Sequence, residues 1–334
     1  RLLIDHQDPY HYKWERGDSV LFLDPRDNPD WEVNRVTVPP TVLVFHAVIA
    51  KLSYKTQRYI WFIFQWVLFI ASLFLFSKCT NSVIKSKIIW VCGLFFIGSS
   101  FYWRLHVERG QIYILYMFLL SLSYWVYCKK LQNSEFLSGM VAGITISFRP
   151  PLMLLALPMI LYKKFKFVLG NVAGVIVGLV ASLVIASPQT WIQYFNAMKM
   201  HGSIHFNFLY ASSSQYPYQN IEGISNLWGL AHIPIFDTSL QFMARSVGLN
   251  LTSNILFALL IVTLTICCFA IRKIIGNETR FSFIVLSGII LVFIAEYFMP
   301  AARFSYNNVI LLPILSLVII DSERILKSVG RKWN

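Results

Sequence analysis

Long uninterrupted apolar stretches, not the alternation of a half-buried strand, set the pattern of this 334-residue chain. They run at about 59–77, 88–103, 112–128, 135–148, 151–162, 167–187, 252–271, 281–298 and 306–320, with a shorter run from Pro39-Pro40 to Ala50. A helix needs roughly 20 apolar residues to cross a hydrocarbon core of about 30 Å, so most of these runs predict membrane helices. The segments 135–148 and 151–162 are too short to cross alone. Arg149-Pro150-Pro151 separates them, and the prolines cannot continue a helix. The predicted fold is an all-α polytopic membrane bundle of about 9–10 apolar segments. Because Arg1-Leu2-Leu3-Ile4 reads as the tail of an apolar helix, a further membrane helix is expected ahead of Arg1.

Composition excludes a soluble protein. Hydrophobic residues make up 56% and charged residues 13%, about half the charged share of a typical soluble domain. Mean hydropathy is +0.58. A soluble fold of this size has too little interior to hide 27 Phe, 16 Tyr and 10 Trp. The net charge of +13 could indicate nucleic acid, but the basic residues form short clusters between the apolar runs. They lie at Lys78/Lys85/Lys87, Lys129/Lys130, Lys163/Lys164/Lys166, Arg272/Lys273/Arg280 and Arg324/Lys327/Arg331/Lys332, as cytoplasmic loops do.

Alternating crossings place all five clusters inside when 135–148 and 151–162 count as separate short helices. The stretches 104–111, 149–151, 188–251 and 299–305 then face outside. The competing topology makes 39–52 a span and 135–162 one broken helix, which moves 104–111 to the cytoplasm. Charge counting alone leaves both open. The chain thus divides into an external acidic loop with a juxtamembrane helix (1–58), membrane helices (59–187), an external loop (188–251), and C-terminal helices with a basic cytoplasmic tail (252–334).

Four clusters could carry chemistry. Arg104, His106, Glu108, Arg109 and Gln111 crowd eight residues of a charge-poor chain. The plain reading is a solvated hairpin anchoring its helices; the functional one is a phosphate site using guanidinium forks. Arg149 stands between two half-length helices, where an unpartnered cation is expensive and functional by default. The N-terminal stretch holds eight of the 16 acids, most of them plain solvated charge. Asp5 and Asp8 differ in following the apparent end of an apolar helix, where a carboxylate can act as a general base. Arg303 precedes the last apolar run, and Tyr306 and Asn307 open it.

The five cysteines and seven histidines show no metal-ligand spacing, and no glycine-rich phosphate loop or nucleophile elbow is present, so neither metal nor cofactor is expected. The cysteines read as small hydrophobes. Asn250-Leu251-Thr252 and Asn277-Glu278-Thr279 match a glycosylation acceptor pattern that often arises by chance.

In order along the chain come Asp8, Val36-Thr37-Val38-Pro39-Pro40, Arg109-Gly110-Gln111-Ile112-Tyr113, the run from Ser138-Gly139 to Arg149-Pro150-Pro151, and Asn307-Asn308 with Pro313. This order resembles the C-type glycosyltransferases that use polyprenyl-phosphate sugars, most closely glycosyltransferase family 87, the polyprenyl-phosphate-mannose-dependent mannosyltransferases. The resemblance covers nearly the whole chain. It implies inverting transfer of a hexose to a glycolipid or glycan on the outer face of a bacterial inner membrane. An aspartate then serves as base, with a tyrosine four residues on, which selects Asp8 with Tyr12 over Asp5. It also implies that Arg149, with Arg109, meets the lipid phosphate. The chain departs from the family where many members carry a histidine and this one has Tyr306 and Asn307. On this reading the first topology is preferred, because it brings Asp8, Arg109, Arg149 and Arg303 to one side. The competing classes are a transporter or flippase for a lipid-linked sugar or an anionic solute, and a structural membrane subunit.

Overall fold

The computed structural model describes residues 1–12, 14–22, 38–210, 238–275, 280–300, 303 and 305–333. Asp24, Asp27, Asp30 and Glu32, the Val36-Thr37 start of the proline motif, and the Asn277 acceptor pattern lie outside them. The described residues are helical, with no β-strand among them. In order the helices are α1 (Pro40–Ala47), α2 (Tyr54–Ser77), α3 (Val83–Cys92), α4 (Phe101–Glu108), α5 (Tyr113–Cys128), α6 (Ser134–Phe148), α7 (Ala156–Leu161) and α8 (Phe165–Ser182). Then come α9 (Pro188–Tyr210), α10 (Leu240–Ser246), α11 (Ser253–Ile275), α12 (Phe281–Tyr297) and α13 (Leu311–Trp333).

Among the described residues, four helical stretches are long and apolar enough to cross a membrane: Tyr54–Ser77, Phe165–Ser182, Ser253–Lys273 and Tyr306–Glu323. A fifth arises if the pair Val83–Gly98 and Phe101–Glu108, bent by 65°, is one broken span. With the shorter apolar helices, this is the expected all-α polytopic fold. Two local readings change. Arg104, His106 and Glu108 are on helix α4, not in a hairpin. The segment 188–251, read as loop, opens with the 23-residue α9, whose polar-aromatic composition hides it from an apolar-run search.

Local chemistry explains the helix boundaries. Ser53, Ser82 and Ser100 each accept a backbone N–H from the first turn of α2, α3 and α4, the strongest class of N-terminal cap. Between α3 and α4 the backbone widens into a π-turn, Gly93–Gly98, which accompanies the bend. After α6, Pro150 and Pro151 open a 3-10 turn, Pro150–Leu155, that leads into α7.

The chain forms two compact units. The first comprises Arg1–Leu52, Val180–Leu260 and Tyr297–Phe304. Its N-terminal residues close as the end of a helical turn: His6 has φ +57°, His6 N–H donates to Leu3 O, and Gln7 N–H donates to Leu2 O, the Schellman pattern. Arg1 Nε donates to Ala50 O at 2.7 Å. The core of this unit seats Tyr10 and Tyr194, ring centroids 5.6 Å apart, with Ala197.

The second unit comprises Ser53–Leu179, Ile261–Glu296 and Ser305–Asn334. Helix α5 locks to α6 through a reciprocal pair of bonds, Ser123 Oγ to Ser138 O and Ser138 Oγ to Ser123 O, both 2.8 Å. Helix α6 meets α8 through glycines spaced four apart. A methyl at Gly139 would overlap the carbonyl of Phe167, and one at Gly143 that of Asn171. From the other side, Gly170 and Gly174 sit against the carbonyls of Phe136 and Met140. Helices in lipid lack a hydrophobic driving force between them, so close backbone approach through small residues and interhelical hydrogen bonds replaces it. The break at Arg149 follows directly on the helix that these contacts fix.

Candidate functional site

The richest cluster lies in the second unit, around Arg149. Its backbone is extended just past α6 (φ −144°, ψ 90°), the conformation that a following proline imposes. The guanidinium donates through Nε to Glu296 Oε1 at 3.1 Å, and Nη2 donates to the same oxygen. Glu296 lies in the last turn of α12 and is 3% exposed. Tyr113 covers one guanidinium face with its ring centroid 4.2 Å from Arg149 Cζ, and Tyr116 stands at 5.9 Å. A half-buried cation therefore has both an anion and π faces, the two partners that make such a charge tolerable.

Tyr113 continues the cluster. Its ring meets that of Tyr306 at 5.8 Å, and Arg109 lies over Tyr306 at 5.9 Å. Arg109-Gly110-Gln111 is the C-terminal cap of α4. Gly110 takes φ +62°, Gly110 N–H donates to Val107 O, and Gln111 N–H donates to His106 O. The glycine is there because this cap needs a left-handed residue. It also offers its carbonyl to Trp61 Nε1 at 2.9 Å, tying α2 to the cap.

The remaining sequence candidates divide. His106 is fully buried, stacked on Trp103 with centroids 5.3 Å apart. Its Nε2 accepts the Ile114 N–H at 3.2 Å, so the ring joins α4 to the first turn of α5, and the proton of the neutral imidazole sits on Nδ1. Arg104 pairs with Glu108 at 2.7 Å on the same helix, at 74% and 54% side-chain exposure. Such a surface pair is worth little. Asn307 is buried in the 3-10 turn Ser305–Ile310, which packs against α4 and α5. Arg303 belongs to the first unit. It is 2% exposed, lies over Tyr297 at 4.2 Å, and donates to Thr238 Oγ1 at 2.9 Å.

Asp8 is also in the first unit, and it is held by a short turn. Oδ1 accepts the N–H of Tyr10 at 2.8 Å and of His11 at 3.2 Å, and Tyr12 N–H donates to Asp8 O. Asp8 thus caps one helical turn with Pro9 in the position that proline favours. Oδ2 meets His11 Nδ1 at 2.9 Å, both side chains being 29% exposed. Tyr12 does not turn its hydroxyl toward Asp8; it donates to Asp18 Oδ2 at 2.7 Å. Asp5 is exposed. The turn therefore presents Asp8 as an anchored, solvent-reachable carboxylate, whereas the Asp5 side chain makes no hydrogen bond among the described residues.

Sequence reasoning missed Glu296, Tyr113, Tyr116 and His11. The signal for Glu296 was present: it is the sole acid in the run 281–320, and an acid in an apolar run is functional by the same default as Arg149.

The description "Glycosyltransferase family 87" belongs to the family model that matches residues 37–300. No curated protein and no solved structure gives a significant match. The matched span covers well over half of the chain and contains Arg109, Arg149 and Glu296. The protein belongs to glycosyltransferase family 87 and is a polytopic membrane glycosyltransferase.

Proposed function

We propose that the enzyme moves a hexose, mannose, from a polyprenyl-phosphate donor to a hydroxyl of a glycolipid or glycan acceptor, with inversion, on the outer face of a bacterial inner membrane. An alcohol is a poor nucleophile, and a positioned carboxylate removes its proton as the new bond forms. Asp8 is that base. The acceptor oxygen bonds to the sugar's anomeric carbon and the bond from that carbon to the phosphate oxygen breaks. The proton passes to Asp8, and the lipid phosphate leaves with the electron pair. The developing charge needs preorganised cations, and Arg149 with Arg109 supplies them. A lipid-linked donor accounts for a site built on membrane helices.

The observation that carries this reading is Arg149: a guanidinium held at a helix break in a family 87 chain, whose Nη1 makes no hydrogen bond among the described residues. The anchoring of Asp8 supports the choice of base over exposed Asp5.

The test is a transfer assay. Purified enzyme with polyprenyl-phosphate mannose should release free polyprenyl phosphate and glycosylate the acceptor. Asp8→Asn should lower turnover by about two to four decades, the usual worth of a general base. Asparagine caps a turn as well as aspartate does, so the variant should stay folded. Full activity in Asp8→Asn with loss in Asp5→Asn would reassign the base. Release from a glucose-loaded donor alone would reassign the sugar.

A further inference from the structure

We infer that Glu296 is a positioning residue for Arg149: it fixes which edge of the guanidinium is presented to the donor phosphate. This rests on the reading of Arg149 as the phosphate's partner.

Four observations lead there. Glu296 Oε1 accepts from both Nε and Nη2, so one edge of the guanidinium is committed. Tyr113, at 4.2 Å, commits one face. The arginine side chain is 18% exposed against 3% for the glutamate, so what an incoming ligand can reach belongs to Arg149. Nη1 is the nitrogen that makes no hydrogen bond among the described residues. The carboxylate thus stands behind the guanidinium and turns it outward.

Stability is a poor explanation for such a pair. Taking two charges out of water offsets most of their attraction, and an apolar replacement is often as stable. Orientation is a better one, because phosphate recognition by arginine depends on the direction of its donors. The pair has an electrostatic consequence as well. Arg149 and Glu296 cancel, which leaves Arg109 as the net positive charge of this cluster. A phosphate therefore binds here less tightly than two unopposed arginines would hold it. Glu296 thus aligns the leaving group's cation, and its charge weakens donor binding where it has any effect on it.

Transfer kinetics with polyprenyl-phosphate mannose, normalised to folded protein, test this in Glu296→Gln, Glu296→Asp, Arg149→Lys and the double variant Arg149→Lys/Glu296→Gln. Glutamine keeps an acceptor oxygen and removes the charge. Glu296→Gln is expected to lower kcat by about tenfold to a hundredfold, the cost of a misaligned reacting group, without raising the donor KM. Glu296→Asp restores the charge and should recover part of the loss. It also serves as the working variant if Glu296→Gln folds poorly. Because the glutamate acts through the arginine, the double variant should be no slower than the slower single.

Unchanged kcat per folded molecule in Glu296→Gln would make the residue purely structural and overturn the inference. So would multiplying losses in the double variant, or a raised donor KM at constant kcat, which would put Glu296 on the donor itself. Wild-type enzyme that transfers nothing from polyprenyl-phosphate donors would instead sink the proposed function, and the inference with it.

Discussion

The turn around Asp8 and the cluster around Arg149 hold opposite charges in opposite ways. Asp8 is anchored within three residues of itself, by the N–H groups of Tyr10 and His11 and the ring of His11. It remains partly open to solvent. Arg149 is anchored by a carboxylate 147 positions away and by rings from α5. A carboxylate near water needs only backbone donors to be oriented, whereas a cation among membrane helices needs a counter-charge as well. The difference predicts where each region breaks: the acid turn through its chemistry, and the basic cluster through chemistry and folding together.

Replacement of Arg149 gives the largest effect on that comparison. Arg149→Ala removes the cation and strands buried Glu296, and breaking a buried pair this way costs roughly 3–5 kcal/mol. If the same amount is lost from the transition state, catalytic efficiency falls by about two to three and a half decades. The yield of folded protein should fall as well, which Asp8→Asn should not show. Arg149→Met/Glu296→Leu separates the two contributions, because replacing both charges by apolar groups is often neutral for stability. Expression and thermal stability should return while turnover stays lost. Restored turnover in the apolar pair would remove Arg149 from the chemistry.

The same contrast explains what was legible in the sequence. The apolar runs predict most of the membrane helices because lipid leaves a spanning backbone few alternatives. The break at Arg149-Pro150-Pro151 follows from proline geometry alone. Asp8 stands out by its place after the apparent end of an apolar helix, and the groups that anchor it are its own neighbours. Glu296 is not readable as a partner, since nothing local links it to Arg149; only the fold that brings the break after α6 to α5 and to the last turn of α12 does. Helix α9 escaped because few of its residues form an apolar run, and α4 because its charges resemble a loop. Tyr12 stands at the interval from Asp8 that the resemblance implies, and its hydroxyl goes to Asp18, a partner that spacing does not show.

An intermediate effect should come from the glycines that place Arg149. At Gly143 a methyl meets the carbonyl of Asn171, which is backbone and cannot rotate away. Gly143→Ala should destabilise the second unit by about 1–3 kcal/mol, the usual range for overpacking. At Gly178 the added methyl would meet Ser147 Oγ and Cβ instead of a backbone carbonyl; the hydroxyl can turn aside but the Cβ moves only with its helix, so Gly178→Ala should cost less than Gly143→Ala without being neutral. Thermal unfolding of the two variants in one detergent checks the order. Equal losses would mean that the contact with Ser147 yields no more than the contact with the backbone does.

The smallest effect belongs to Tyr12, in the acid turn. Its hydroxyl donates to Asp18 Oδ2 at 2.7 Å, and the Glu15 N–H donates to the same oxygen at 3.1 Å. These bonds, the tyrosine's first, hold the Asp18 carboxyl below its ordinary value. Loss of hydration and the bond to Asp18 push the Tyr12 phenol up to about 12. A carboxyl lowered in the folded state contributes stability above its unfolded value, near 4, and loses it as the pH falls through the folded one. A raised phenol contributes below its unfolded value, near 10, and loses it as the pH rises through about 12. Tyr12→Phe should therefore cost most between roughly pH 4 and 10 and less in strong acid, where the carboxylate contribution is gone, and little anywhere, because both partners face solvent. Turnover should hold within about twofold, since phenylalanine keeps the backbone N–H that closes the turn on Asp8. Thermal unfolding at pH 3 and pH 7 reads the first expectation and the transfer assay the second. A loss of turnover as deep as that of Asp8→Asn would put the hydroxyl into the chemistry and make the acid turn as dependent on a distant group as the basic cluster is.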